Sequence, residues 1–366
     1  MKITKCEIFR YDLPLRNSLE VNNVQMRDRS GFLIRISDEH RYLGIGEVAP
    51  LPGLHKENLA EALENFREVV PLLESREIPP GLERLDSGFE NWIGEKAVLP
   101  SVRFGLEMAI LNLLADHRNL SLGRLLSQSC QQAVQINGLL FGEGDEALED
   151  AKRLVGDGYR MVKMKVGRKS IDEEIGVVNR LQEIINEKAR LRIDANRRWS
   201  FAEAVRFAKS VGLQNIEYIE EPCPDSKQLN DFFDQTQMPI ALDESLDELR
   251  LDELENVGGL KALVIKPSFI GGFERSMRLV RYGISIHIYP VISSSFESGL
   301  GLCALANFAA SLNLGNTAMG LDTYRWFVKD LLATGFKTAD GKVDVEVAHS
   351  RSKEINYGSL RNITSN

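Results

Sequence analysis

Apolar and polar positions half-alternate from Lys2 to Leu15, and a β-rich run from Gly31 to Ile36 follows. Arg41 to Val48 comes after the polar turn Ser37-Asp-Glu-His40. Alternation with period two, broken by turn residues, predicts an antiparallel meander. The period then lengthens. Leu59, Leu63, Phe66 and Val70, and later Val102, Leu106, Ala109, Ile110 and Leu113, recur every three or four residues, as on a one-sided helix. Residues 1–125 are therefore expected to form an α+β unit.

From about residue 133 the pattern becomes short apolar runs separated by amphipathic stretches, which is how parallel βαβ units read. The predicted strands are Val134–Leu140, Met161–Val166, Leu191–Ala195, Ile216–Glu220, Ile240–Asp243, Leu263–Lys266, Ser285–Ile292 and Thr317–Leu321. Between them, Leu148, Ala151, Leu154 and Val155, then Ile171, Ile175, Val178, Leu181 and Ile185, mark helices with one apolar face. Eight such units suit an α/β fold of the (β/α) barrel type over residues 126–321. A doubly wound open sheet is the competitor, but it calls for a glycine-rich phosphate turn after its first strand. None stands there, and Gly299-Leu-Gly301 lies too late in the chain. Residues 322–366 are expected to lie outside the barrel.

The chain has 366 residues, 43% hydrophobic and 27% charged, enough to bury a large core. Its formal charge of −8 provides no basic field for nucleic acid or an anionic membrane. No apolar run approaches the roughly 18 residues of a membrane span. The start, Met1-Lys-Ile-Thr-Lys-Cys, lacks the layout of a secretory signal, so a cytoplasmic protein acting on a small molecule is expected. Cys6, Cys130, Cys223 and Cys303 are scattered and predict buried free thiols rather than a zinc cluster or a disulfide framework.

In a (β/α) barrel the residue ending each strand faces the mouth where chemistry is done. Here those ends are Lys163-Met-Lys165, Asp194, Glu220, Asp243 and Lys266, each one repeat of 23 to 29 residues from the last. Any one of them alone is better explained as a salt-bridged rim residue; five successive strand ends with ionisable side chains are not. Three converging carboxylates, Asp194, Glu220 and Asp243, would raise one another's pKa unless a cation neutralised them. Oxygen-only ligands favour a hard ion, Mg²⁺ first and Mn²⁺ as a substitute. Lysines on opposite sides of such an ion suit proton abstraction beside a carboxylate, and neighbouring cations would depress the lysine pKa to favour the neutral base. Glu221 is expected to support this row, Asn196 and Arg192 to orient it, and His287 to pack within a strand.

Val162-Lys-Met-Lys165, Arg192-Ile-Asp-Ala-Asn196, Ile219-Glu-Glu-Pro222, Leu242-Asp-Glu-Ser245 and Ile265-Lys-Pro267 resemble the barrel motifs of the enolase superfamily, muconate lactonising subgroup. The resemblance implies a TIM-like modified barrel, an N-terminal α+β capping domain over residues 1–125, and a C-terminal segment, 322–366, that returns to the cap. It also implies Asp194, Glu220 and Asp243 as Mg²⁺ ligands, Lys165 as base, Lys266 as the opposing lysine and Lys163 beside them. Three further segments resemble loops of the o-succinylbenzoate synthase family: Gly46–Gly53, Ser293–Leu302 and Gly320-Leu-Asp-Thr323. Ser293 to Ser295 would then offer backbone and hydroxyl donors to a substrate carboxylate. That resemblance implies dehydration of a cyclohexadiene carboxylate in menaquinone synthesis. N-acylamino acid racemisation, dipeptide epimerisation, and ligand binding without turnover stay open as alternatives. Asn17 to Ser30, where such proteins carry a lid, shows no signature, and the oligomeric state is not set by the sequence.

Overall fold

A four-stranded antiparallel sheet and a seven-stranded parallel sheet organise the computed structural model, which describes residues 1–74, 76–94 and 97–364. The first sheet is built from β1 (Ile3–Val21), β2 (Val24–Asp38) and β3 (Leu43–Val48). The helices α1 (Leu59–Leu73), α2 (Gly88–Ile93), α3 (Pro100–His117) and α4 (Leu122–Leu126) follow. α1 begins with a capping box in which Asn58 and Glu61 satisfy each other's backbone amides. α3 opens on Pro100, whose missing N–H costs nothing at that position, and is buried nearly all round. It lies so close on β3 that a Cβ at Gly44 or Gly46 would stand 1.9 Å from the carbonyl oxygen of Ala109 or Gly105.

After β4 (Ala133–Gln135) the barrel begins. Its strands and helices run β5 (Gly138–Leu139), α5 (Asp145–Gly156), β6 (Met161–Lys165), α6 (Ile171–Ile185), β7 (Arg190–Asp194), α7 (Phe201–Val211), β8 (Ile216–Glu220) and α8 (Leu229–Thr236). They continue through β9 (Ile240–Leu242), β10 (Leu260–Ile265), α9 (Pro267–Ile270), α10 (Phe273–Ser285), β11 (Tyr289–Ile292) and α11 (Gly299–Ser311). Ser170 with Glu173, and Ser200 with Glu203, form capping boxes that start α6 and α7. The sheet order β11-β10-β9-β8-β7-β6-β5 is sequential, and its gap is spanned by residues 317–321. There Met319 bridges Ile136 and Gly320 bridges Ser293, both in parallel sense. The eighth predicted strand is therefore two bridges rather than a ladder.

Strand alternation turns Tyr218, Ala241, Ala262, Val264 and Val291 to one side, and these form a small apolar cluster separate from the main core, filling the ring beneath its mouth. The tail adds β12 (Lys342–Asp344), α12 (Val345–Ser352) and β13 (Arg361–Asn362). β12 pairs with β4, and β13 pairs with β1.

Several expectations need correction. β2 starts at Val24 rather than Gly31, so β1 and β2 form one long hairpin that includes most of the unsigned stretch from Asn17 to Ser30. The strand expected at Ser285–Ile292 is only Tyr289–Ile292, because the amphipathic face of α10 carries the helix through Ser285. His287 lies in the connecting turn, exposed, with φ of 62°, and not within a strand. All four cysteines are free, but Cys130 is only half-buried.

Candidate active site

A cavity of about 850 Å³ opens at the C-terminal ends of the parallel strands. Lys163, Lys165, Asp194 and Lys266 line it, while Glu220 and Asp243 lie just behind, at 0% and 2% exposure. Parallel register puts Lys165 opposite Asp194 and Asp194 opposite Glu220, so one row of strand ends holds these groups level. Lys163 Nζ donates to both oxygens of Glu220 at 2.8 and 2.7 Å and stands 3.0 Å from Asp194. Lys165 Nζ donates to Asn196 Oδ1 at 2.8 Å and to Asp194 at 3.3 Å. Lys266 donates to Asp243.

Glu221 supports the row from behind. Its carboxylate accepts from the amides of Asp243 and Ser245 at 2.7 and 2.8 Å and from Arg197 Nε at 2.8 Å. Asn196 holds Lys165 with its carbonyl oxygen and donates to Glu244 Oε1 at 3.1 Å. Arg192 does not orient these groups by hydrogen bonding as expected. It lies deeper, bonded to Glu217, Asn137 and the Ala318 carbonyl, with its guanidinium 5.0 Å from the Tyr218 ring centre. The sequence reading did not single out Glu244, which comes from the loop after β9.

Burial alone would lower Lys163, yet Asp194 and Glu220 outweigh it and hold the ammonium well above the ordinary lysine range. For Lys266 burial is likewise overcome by Asp243 and Glu244. Contact with carboxylates, not with other cations, dominates both lysines. Burial would raise Asp194, but Lys163, Lys165 and Lys266 keep it below the ordinary carboxylate range. Glu220 is pushed up to about 8 by burial and by the charge of Asp194.

Among the described residues, no three acidic, histidine or cysteine side chains already converge in ligating geometry, because ammonium groups stand between them. The donor set nevertheless fits a hard divalent cation. Three buried carboxylates end adjacent strands, and Glu244 Oε2, beside Asp243, is buried with no hydrogen-bond partner, an oxygen that a cation or its water would satisfy.

The loop after β11 forms another wall. The amides of Ser293, Ser294 and Ser295 are already spent on Ile265 O, Gly320 O and Glu297, and the Ser293 and Ser294 hydroxyls each donate to Gly320 O at 3.3 Å, so the loop does not offer the ready backbone and hydroxyl donors expected. Arg29 of β2, 2% exposed, fixes this loop by donating to the carbonyls of Phe296 and Ala49 at 3.0 and 2.7 Å. Glu47 of β3 accepts from the amides of Ser298 and Gly301 at 2.9 Å each and so caps α11 across the junction. The tip of the β1–β2 hairpin roofs the cavity with Asn17 to Asn22. Asp322, Thr323 and Trp326 line it too, so the segment after residue 321 reaches the barrel mouth.

Residues 146–349 match the enolase C-terminal domain-like family, more than half of the chain, and residues 3–113 match the MenC N-terminal domain. The chain belongs to the enolase superfamily. Within it, similarity extends to Protein PHYLLO, chloroplastic, of Arabidopsis thaliana, 35% identical over 83% of this chain. The chain spans 20% of that protein's length. The o-succinylbenzoate synthase of Haemophilus influenzae is 33% identical, covering 86% of this chain and 88% of the relative. Among solved structures, the dipeptide epimerase from Enterococcus faecalis V583 complexed with Mg and dipeptide L-Leu-L-Tyr superposes with a TM-score of 0.83 at 22% identity. It covers 94% of this chain and 97% of that one, a likeness of enolase-superfamily fold.

Proposed function

We propose that this enolase-superfamily chain is a Mg²⁺-dependent lyase that dehydrates 2-succinyl-6-hydroxy-2,4-cyclohexadiene-1-carboxylate to o-succinylbenzoate, a cytoplasmic step of menaquinone synthesis. The observation that carries it is that cavity-lining Lys165, at the end of β6, and Lys266, just after β10, flank a buried carboxylate row, in a chain whose relatives include an o-succinylbenzoate synthase at 33% identity. Asp194, Glu220 and Asp243 would hold the ion, which when bound supplies positive charge for the substrate carboxylate.

Lys165 removes the proton beside that carboxylate and returns it to the departing hydroxyl on the same face. The C–H electron pair passes into an enolate of the substrate carboxylate and then into the new ring double bond as the C–O bond breaks, and the ring becomes aromatic. Lys266, on the other side, steadies the negative charge that builds up, and Lys163 balances Asp194 and Glu220. Glu221 and Asn196 position the row and the base. A lysine on each side of the mouth also suits racemisation of an N-acylamino acid, which needs acid–base groups on both faces.

A direct assay decides between them. With Mg²⁺ present, the cyclohexadiene substrate should show the ultraviolet change of aromatisation, reversibly abolished by chelator. Its kcat/KM should exceed that for racemising N-succinyl amino acids or dipeptides by about two powers of ten. Comparable racemisation by polarimetry would replace the lyase assignment, and full activity in excess chelator would remove the metal.

A further inference from the structure

We propose that Phe141 and Trp326, held in place by Arg325, form a rigid aromatic wall that selects a cyclic diene substrate over an open-chain acylated amino acid, an inference that rests on the dehydration reading. Phe141 follows β5, next to the strand that carries Lys165, and Trp326 follows the segment that closes the barrel. Both line the catalytic cavity and both are half-buried; Phe141 is stacked on Trp326 and covered by Arg325, so contact with a ligand falls to the Trp326 ring. The two rings are stacked with centres 3.8 Å apart and planes at 19°.

The stack is braced from both sides. The guanidinium of Arg325 lies 4.5 Å from the Phe141 ring centre. Arg325 is itself fixed by Asp150 at 2.7 and 2.9 Å and by Asp322 at 3.0 Å. Asp150 also accepts from the Phe141 amide at 2.9 Å, so one carboxylate sets both the backbone of Phe141 and the cation over its ring. Phe296 meets Trp326 edge-on at 5.8 Å, on a loop where its φ is 57° and its carbonyl is held by Arg29. A wall braced in this way cannot reshape itself around a tetrahedral, flexible side chain. It can lie against a planar diene, and that contact improves as the ring flattens toward the aromatic product. Arg325 acts through the rings and is a positioning residue.

The test uses the full chain with Mg²⁺ and two probes, o-succinylbenzoate and N-succinylalanine. Trp92 and Trp199 are 6% and 4% exposed and do not line the cavity, so quenching of indole fluorescence reports Trp326. Calorimetric affinity for o-succinylbenzoate should fall about tenfold or more in Trp326→Ala and recover to within about threefold in Trp326→Phe, with N-succinylalanine unchanged within about twofold. Arg325→Met should raise KM for the cyclohexadiene more than it lowers kcat. Trp326→Leu replaces the alanine variant if that one fails to fold, as judged by circular dichroism. Equal loss for both probes, or no loss for either, overturns the wall. Binding of o-succinylbenzoate without any dehydration sinks the lyase reading and leaves the wall; dehydration with an indifferent Trp326→Ala sinks the wall alone; no binding of o-succinylbenzoate by the unmodified protein overturns both.

Discussion

Lys165 differs from its two neighbours in how much of it reaches solvent: its side chain is 33% exposed, against 12% for Lys163 and 15% for Lys266. A general base has to touch the substrate, and Lys163 is committed to two carboxylates while Lys165 leans on the amide oxygen of Asn196. Lys165→Ala should therefore lower kcat by about 10²–10⁴, the usual worth of a general base. Exchange of the substrate proton with deuterated solvent should be lost in parallel, and o-succinylbenzoate should still bind. Near-native turnover in that variant would put the base elsewhere. The placement of these side chains was legible because a parallel barrel delivers every strand end to one rim, so residue spacing stood in for geometry. Glu244, Arg29 and Arg325 were not legible. They reach the site from outside the barrel strands, and each has a partner far away in the sequence.

At the scale of elements, the β1–β2 hairpin supplies a wall of the cavity with little sequence signal. Its outer half, Arg16 to Ser30, is exposed on most positions and buries only Leu19 and Arg29, too few to impose alternation, so the turn at Asn22-Asn23, with φ of 46° and 65°, is what marks it. Pairing breaks between Pro14 and Leu19, where Leu15 bridges to Phe327 instead. The βα units, by contrast, were readable because each helix has one apolar face and each strand is buried on both sides. Beyond the break, the hairpin is tied to the barrel by Glu20 and Arg198 at 3.3 Å and to the cap loop by Asn22 Nδ2 on Gly53 O at 2.8 Å. Exposed ion pairs are weakened by solvent, so Arg198→Ala should raise KM by at most about fivefold, with a smaller change in kcat. The KM of the unmodified protein should also rise with salt more steeply than that of the variant. A drop in kcat at constant KM would show that the pair does not hold the roof over bound substrate.

Across the whole molecule, cap and barrel meet around one guanidinium shared by two carboxylates. Arg103 of α3 donates to Glu107 and to Glu274 of α10 at 2.8 Å each, and all three are at most 4% exposed. Glu274 also accepts from the amides of Phe89 and Glu90, and its own amide donates to Glu107 at 2.9 Å. Two buried negative charges against one positive leave an excess, and Glu90 at 3.9 Å from Arg103 adds to it while Arg275 lies beyond on the same rim. Burial pushes Glu107 up from 4.5 to about 7 despite Arg103. A carboxyl raised on folding stabilises the fold fully below its ordinary value, and that contribution is lost as pH climbs through the raised one. The window is therefore pH 4.5 to about 7. By linkage the full swing is on the order of 3 kcal/mol. Glu107→Gln keeps the volume and cannot ionise, so its stability should lack this component. Denaturant unfolding at pH 5, 6, 7 and 8 should show the unmodified protein losing stability relative to Glu107→Gln as pH rises, with the whole change inside that window. Parallel curves for the two proteins would mean that the proton is taken up elsewhere at the junction.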